Sequence, residues 1–368
     1  MDKAVTPQSL RPLTSLRFFA ALAVFFSHTP VTWTLNAIFG IGYTGVGFFY
    51  LLSGFILTYR YYGDFAGGLS TLAAHRFYLA RIARILPVYL TTMLLMLAFM
   101  AVCGGKYWSG VATQVRLAEV VAQTALVQSW IPVDAVYLGL NGQAWSVSAE
   151  MFFYALLPVV LWFATWLTRA ARPPTILLAA AALWALLFGV ELCHRGPASF
   201  YWFYVFPPIR LPEFTIGILL GIAFLKRPAI SRAGLQPTTS ELLVVGGVIL
   251  ATLVSPAFPA SVRFSALSLP FSAALIAVFA RQGGTISRLL SAPAFVRLGE
   301  ISFAFYLVHL LVIDALATTP LPYLAAIPAA LVISLALSSV LYHGVEEPLR
   351  RLICTTFTVR AAEPSPVR

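Results

Sequence analysis

Residues 13–30 read LTSLRFFAALAVFFSHTP. The run is apolar except for an arginine near one end and a histidine near the other. As a helix it is about as long as the ~20 residues needed to cross a hydrocarbon core roughly 30 Å thick. Arg17 interrupts it and no small-residue cleavage site follows, so it reads as a retained first span rather than a cleaved signal peptide. Outward from it, nine more stretches of suitable length follow: 39–59, 85–103, 144–167, 175–193, 204–225, 241–258, 264–280, 299–316 and 324–343. The stretch 117–131 is apolar but short, and is expected to lie at the interface or re-enter the bilayer.

Composition agrees. Of the 368 residues 60% are apolar and only 10% charged, against roughly 25% in an ordinary soluble domain. A water-soluble core cannot hide that much apolar surface, and a disordered or collagen-like chain is excluded too. The fold class expected is all-α, a polytopic transmembrane bundle of about ten spans. Residues 1–352 form one membrane domain, followed by a short tail at 353–368.

Charge sets the orientation. With the first residues placed inside, eighteen of the 24 Lys and Arg fall in cytoplasmic segments. Four (Lys106, Arg116, Arg195 and Arg263) fall outside, and Arg17 and Arg210 lie within spans. That bias puts both termini in the cytoplasm. The net charge of +11 is therefore a topology signal, and with no basic patch on a soluble domain no nucleic-acid partner is expected. Three scattered cysteines give neither a disulfide framework nor metal spacing, and no metal is expected.

Ionisable groups inside spans cost roughly 2.5–3.5 kcal/mol each on insertion scales, so each is a functional hypothesis. Arg17 and His28 are eleven residues apart, about 20° past three full turns. They share one face of the first helix, with about 16 Å of rise between them. Two polar groups on one face suggest a lined cavity rather than two isolated anchors. Glu150, a few residues into the fourth span, should lie at a depth similar to His28, where a carboxylate would orient an imidazole and raise its basicity. Arg210 and Glu213 sit three apart within PPIRLPE (207–213) and can pair, and three prolines in six residues break the helix there. His309 lies mid-span, sharing a face with Ser302 and Phe305. Arg76, Arg81 and Arg84 form a cytoplasmic basic cluster whose guanidinium forks suit phosphates. A proton-coupled secondary transporter would also use intramembrane carboxylates, histidines and a proline-broken helix, although no two-half symmetry is evident.

Taken together, these residues resemble the membrane acyltransferase family 3, bacterial enzymes that O-acylate carbohydrates. Arg17 and His28 match its Arg-x10-His element, and Gly45-Val46-x-Phe48-Phe49-x-Leu51-x-Ser53-Gly54-Phe55 its second-helix element. Arg81-x-x-Arg84-Ile85-x-Pro87-x-Tyr89 is similar to its basic loop. Trp145-Ser146-x-x-x-Glu150, Ser302-Phe303-x-Phe305-Tyr306-Leu307-x-His309 and Glu346-x-Pro348 match later elements. Ala80 and Gly47 depart from the pattern, where an Arg and an Asp are common. The hydrolase-like domain fused to some members is not expected after Glu346.

The resemblance implies transfer of an acyl group, usually acetyl, from cytoplasmic acetyl-CoA to a hydroxyl of a glycan or glycolipid acceptor. Such acceptors include lipopolysaccharide and exopolysaccharide, handled in the bacterial inner membrane alongside membrane lipid and polysaccharide-assembly proteins. Arg17, Arg81 and Arg84 are expected to hold the CoA phosphates, His28 to act as general base, and Glu150 to orient it. Ser146, Arg210, Glu213, Tyr306 and His309 remain candidates for substrate or oxyanion contacts.

Overall fold

A computed structural model describes residues 9–29, 41–103, 112–194, 200–226 and 235–360. The described residues are helical, joined by short turns. The helices used below are α1 (Arg11–Ser27), α2 (Ile41–Phe65), α3 (Thr71–Cys103), α4 (Thr113–Thr124), α5 (Trp145–Thr168), α6 (Pro173–Cys193) and α7 (Pro207–Leu225). They continue with α8 (Pro237–Val254), α9 (Leu269–Phe279), α10 (Thr285–Leu290), α11 (Pro293–Ala317), α12 (Tyr323–Leu341) and α13 (Glu347–Arg360). Prolines set several starts. α1, α6, α7, α8 and α9 each carry one at the first or second position, where the missing N–H would have had no partner and the fixed φ suits a helix.

Among the described residues eight helical stretches are long and apolar enough to cross a membrane, so the protein is a multi-pass membrane protein. The other two expected spans are α1, a 17-residue helix, and α2, a 25-residue one. α4 has 12 residues, about 18 Å of rise, too short to span, and a 3₁₀ turn at Gln128–Trp130 follows it.

One expectation needs correction. The basic cluster is not a loop: α3 runs for 33 residues from Thr71, so Arg76, Arg81 and Arg84 stand on its first turns. No breaker intervenes between Gly68 and Pro87, and Pro87 is absorbed inside the helix. After a π-helical turn at Tyr342–Glu346, α13 continues to Arg360. Lys3, Lys106, Arg195, Arg227, Arg232 and Arg368, which entered the orientation count, lie outside the described residues.

The chain divides into two compact units. The first comprises Met1–Gly68 and Val159–Ser302, the second Leu69–Pro158 and Phe303–Arg368. In the first unit α2 and α7 pack most intimately. A Cβ on Gly54 would fall on the Phe214 carbonyl oxygen, and one on Gly217 would fall on that of Leu51. Gly217 and Gly221 form a small-xxx-small pair, which lets two backbones approach closely where lipid supplies no hydrophobic drive. In the second unit Glu119 of α4 accepts the backbone N–H of Leu140. Burial raises the carboxyl's pKa, while that N–H and Arg116 pull it back down.

Gly217→Val should force α2 and α7 apart and cost at least the 1–3 kcal/mol typical of overpacking. The expected result is a clear drop in thermal stability of the detergent-solubilised protein, whereas Gly246→Ala, with open space around its Cα, should change little.

Candidate active site

Arg17 is half-buried on α1, and His28 caps the helix C-terminus at the exposed end of the same stripe. Between them on that stripe Ala21 is 0% and Val24 3% exposed, so the face joining Arg17 to His28 is close-packed against protein, and the lined cavity expected there is not found at these residues. His28 Nδ1 lies 3.0 Å from the Val24 carbonyl oxygen. A carbonyl only accepts, so Nδ1 carries the proton and Nε2 keeps the basic lone pair. A separate apolar cavity of about 170 Å³ lies on a different face of α1, lined by Leu16, Phe19, Ala20 and Ala23 with residues of α2, α8 and α9. It is not the passage expected along the Arg17–His28 face.

Also in the first unit, the expected break falls at Phe206, whose ψ of 118° is extended, and α7 restarts at Pro207. This puts Arg210 and Glu213 in the first two turns, both 0% exposed. Arg210 Nη1 is 2.9 Å from Glu213 Oε1 and donates to the Phe264 carbonyl at 3.3 Å, while Ser265 donates to the same carboxylate oxygen. The guanidinium lies 5.2 Å from the ring centres of Tyr50 and Tyr204. Glu191, fully buried, accepts the Ala266 N–H at 3.2 Å, which anchors the 264–266 turn that also meets Arg210 and Glu213.

The second unit holds another set. Ser146 Oγ and Tyr306 OH are 2.7 Å apart and each lies 3.0 Å from the Gln143 carbonyl; with one proton apiece, one hydroxyl donates to the other and the second donates to the carbonyl. His309, fully buried, donates from Nδ1 to the Tyr306 carbonyl at 2.7 Å, which again leaves Nε2 as the basic nitrogen. Glu150, half-buried, accepts the hydroxyl of Tyr154 one turn along α5. On α3, the Arg81 guanidinium sits 5.9 Å from the rings of Phe77 and Tyr154. Arg84 is paired with Glu346, a carboxylate with 0% side-chain exposure on the π-helical turn, and Arg350 Nη1 approaches the same group at 3.9 Å. Among the described residues no three His, Cys, Asp or Glu side chains gather as a metal site.

A family model described as an acyltransferase domain matches residues 13–343. The chain belongs to the membrane acyltransferase family. Curated relatives include acyltransferase MdmB of Streptomyces mycarofaciens, 33% identical over 333 residues, which cover 83% of this chain and 79% of that protein. Nodulation protein 10 of Rhizobium leguminosarum bv. viciae is 26% identical over 336 residues, 82% of each chain. No solved structure matches. The protein is thus an O-acyltransferase enzyme, and the transporter alternative is set aside.

Within this acyltransferase the structure brings Arg17 and His28 onto one buried stripe, pairs Arg210 with Glu213, and pairs Ser146 with Tyr306. His28 and Glu150 belong to different units. Sequence reasoning missed Glu191, although a carboxylate inside the apolar stretch 175–193 was signal enough. It also missed Ser265, which carries no pattern, and the tie between Arg84 and Glu346, residues 262 positions apart.

That tie is testable. Arg84→Ala would leave the buried Glu346 carboxylate with only the long contact from Arg350, a loss of up to about 3–5 kcal/mol. Thermal stability should fall sharply, and Glu346→Gln in the same chain should restore most of it. An Arg84 that only bound phosphate would lower stability in neither variant.

Proposed function

We propose that the enzyme transfers an acyl group, acetyl in the first instance, from cytoplasmic acyl-CoA to a hydroxyl of a glycan or glycolipid at the bacterial inner membrane. The observation that carries this reading is α1: a cation and an imidazole on one face of a single helix, about 16 Å apart along its axis. That is a span an extended pantetheine arm can bridge. Arg17 would meet the anionic end of the donor and His28 Nε2 the reacting end. The fold family and the acyltransferase name of one relative support the reaction class.

The step balances without a further co-reactant. His28 Nε2 takes the proton of the acceptor hydroxyl as its oxygen attacks the thioester carbonyl carbon. The tetrahedral oxyanion collapses, the C–S bond breaks, and the thiolate recovers the proton from the imidazolium. The products are an ester and free CoA. Donors available to an oxyanion are Arg210 in the first unit and the Ser146–Tyr306 hydroxyls in the second. The basic residues on α3 are further candidates for phosphate contact, and Arg81 suits that role better than Arg84, whose charge is balanced by Glu346.

Purified enzyme in nanodiscs, given radiolabelled acetyl-CoA and a panel of glycosides, should place label on a sugar hydroxyl. His28→Ala should reduce that transfer by about 10²–10⁴-fold with the protein still inserted and abundant. Near-normal transfer by His28→Ala would remove the base from this account. Arg17→Ala should act mainly by raising the apparent KM for acetyl-CoA.

A further inference from the structure

Of the eight apolar helical stretches, the one containing α8 is the least covered by protein, with Leu242, Leu243, Ile249, Leu250 and Leu253 all exposed. The apolar cavity of about 170 Å³ lies between this helix and α1. Ala20 and Ala23 line it from α1, Val248 and Ala251 from α8, and Phe271 and Leu275 from α9. Phe19, also on its wall, is 41% exposed, so the cavity reaches the lipid-facing surface. Two hydroxyls on the wall are satisfied by their own backbone. Thr252 donates to the Val248 carbonyl at 2.9 Å and Ser268 to that of Ser265 at 3.3 Å. The space therefore offers little to a polar ligand. Apolar cavities of this size take up hydrocarbon rather than water. In a bilayer the hydrocarbon at hand is a lipid chain.

The cytoplasmic end of this gap is bridged by α10. Glu241 of α8 accepts the N–H groups of Gly284 and Ile286 and the hydroxyl of Ser287, while Ser15 of α1 donates to the Leu290 carbonyl at 2.6 Å. Arg288 is exposed on α10. Its Nη2 donates to Thr285 Oγ1 at 3.1 Å, and that oxygen is 3.2 Å from the Thr238 hydroxyl, so the guanidinium stands beside the cytoplasmic start of α8. Arg281, just past α9, is exposed at the same end, as are Arg11 and Arg297. Glu241 is buried among its donors and Glu300 is half-buried, so the exposed charge here is positive. At the opposite ends of α1 and α9 the described basic groups are His28 and Arg263. Leu275 is six residues from Arg281, about 9 Å of rise, and Val248 eleven from Pro237, about 16 Å. A chain anchored at the cytoplasmic rim reaches that depth as it nears the midplane of a hydrocarbon core roughly 30 Å thick. We propose that the gap between α1 and α8 binds an anionic phospholipid of the cytoplasmic leaflet, with its phosphate at Arg281 and Arg288 and one acyl chain in the cavity. Basic ends of gaps between spans suit such headgroups. The lipid steadies α8 against α1. It lies on a different face of α1 from Arg17 and His28, and its binding does not rest on the transferase reading.

The full-length protein, delipidated in detergent, gives the test. Dioleoyl phosphatidylglycerol should raise its melting temperature by several degrees, and dioleoyl phosphatidylcholine at the same mole fraction by much less. Changing Arg281→Gln and Arg288→Gln together, both at exposed positions, should weaken the apparent affinity for phosphatidylglycerol about tenfold or more. Ala23→Leu and Ala251→Leu fill the cavity from opposite walls, and each should remove the shift. A phosphatidylglycerol carrying a diazirine at mid-chain should, on irradiation, label peptides of α1, α8 or α9. The proposal is overturned if the two lipids shift the wild type equally or not at all, or if the double arginine variant keeps the full preference. It is also overturned if both cavity-filling variants respond as the wild type does, or if the diazirine labels other helices and none of these three. Should the cavity-filling variants fail to fold, the photolabelling of the wild type and the response of the arginine variant still decide.

Discussion

A polar group inside a bilayer has no water to turn to, so each must be answered by the protein or by what the protein binds. Most polar groups in this chain are answered internally and at short range. Arg210 meets Glu213, the Phe264 carbonyl and two tyrosine rings, Arg84 meets Glu346, and Ser146 and Tyr306 meet each other. The exceptions carry the information. Among the described residues, amide oxygens of Gln128, Asn141 and Gln143, and Arg210 Nη2 and Glu213 Oε2, have no hydrogen-bond partner.

α1 obeys the same constraint in a different way. Arg17 is half-buried beside residues that are wholly buried, and His28 stands at the helix end, where its Nδ1 donates to the Val24 carbonyl. An imidazole set by its own helix needs no neighbouring carboxylate to present Nε2 as a base. Glu150, expected to orient the imidazole, belongs to the other unit and accepts the hydroxyl of Tyr154.

How much of this was legible in the sequence follows from the range of each interaction. The all-α membrane fold could be read from apolar run length, and the Arg17–His28 alignment from helical geometry, because both are local. A helix break beside these prolines was equally plain, although it falls before Pro207 and Pro212 is absorbed inside α7. The helical state of Arg76–Arg84 was not. Polarity there mimics a loop, and only the absence of a breaker before Pro87 marks it as helix. Long-range partners were out of reach. Nothing near Arg84 announces Glu346, nothing near Gln143 announces the carbonyls of Tyr306 and Leu307, and neutral amides in a short apolar stretch raise no alarm. The family motifs recovered the residues at several of these places, but not what each of them touches.

The central claim is that α1 presents Arg17 to the phosphates and His28 to the reacting end of the acyl donor. An experimental structure with a non-hydrolysable acetyl-CoA analogue tests it most directly. The account predicts the phosphates against Arg17 and the carbonyl-bearing end of the pantetheine arm within about 4 Å of His28 Nε2. An analogue bound away from α1, or lying along it with its reactive end at Arg17, would contradict it.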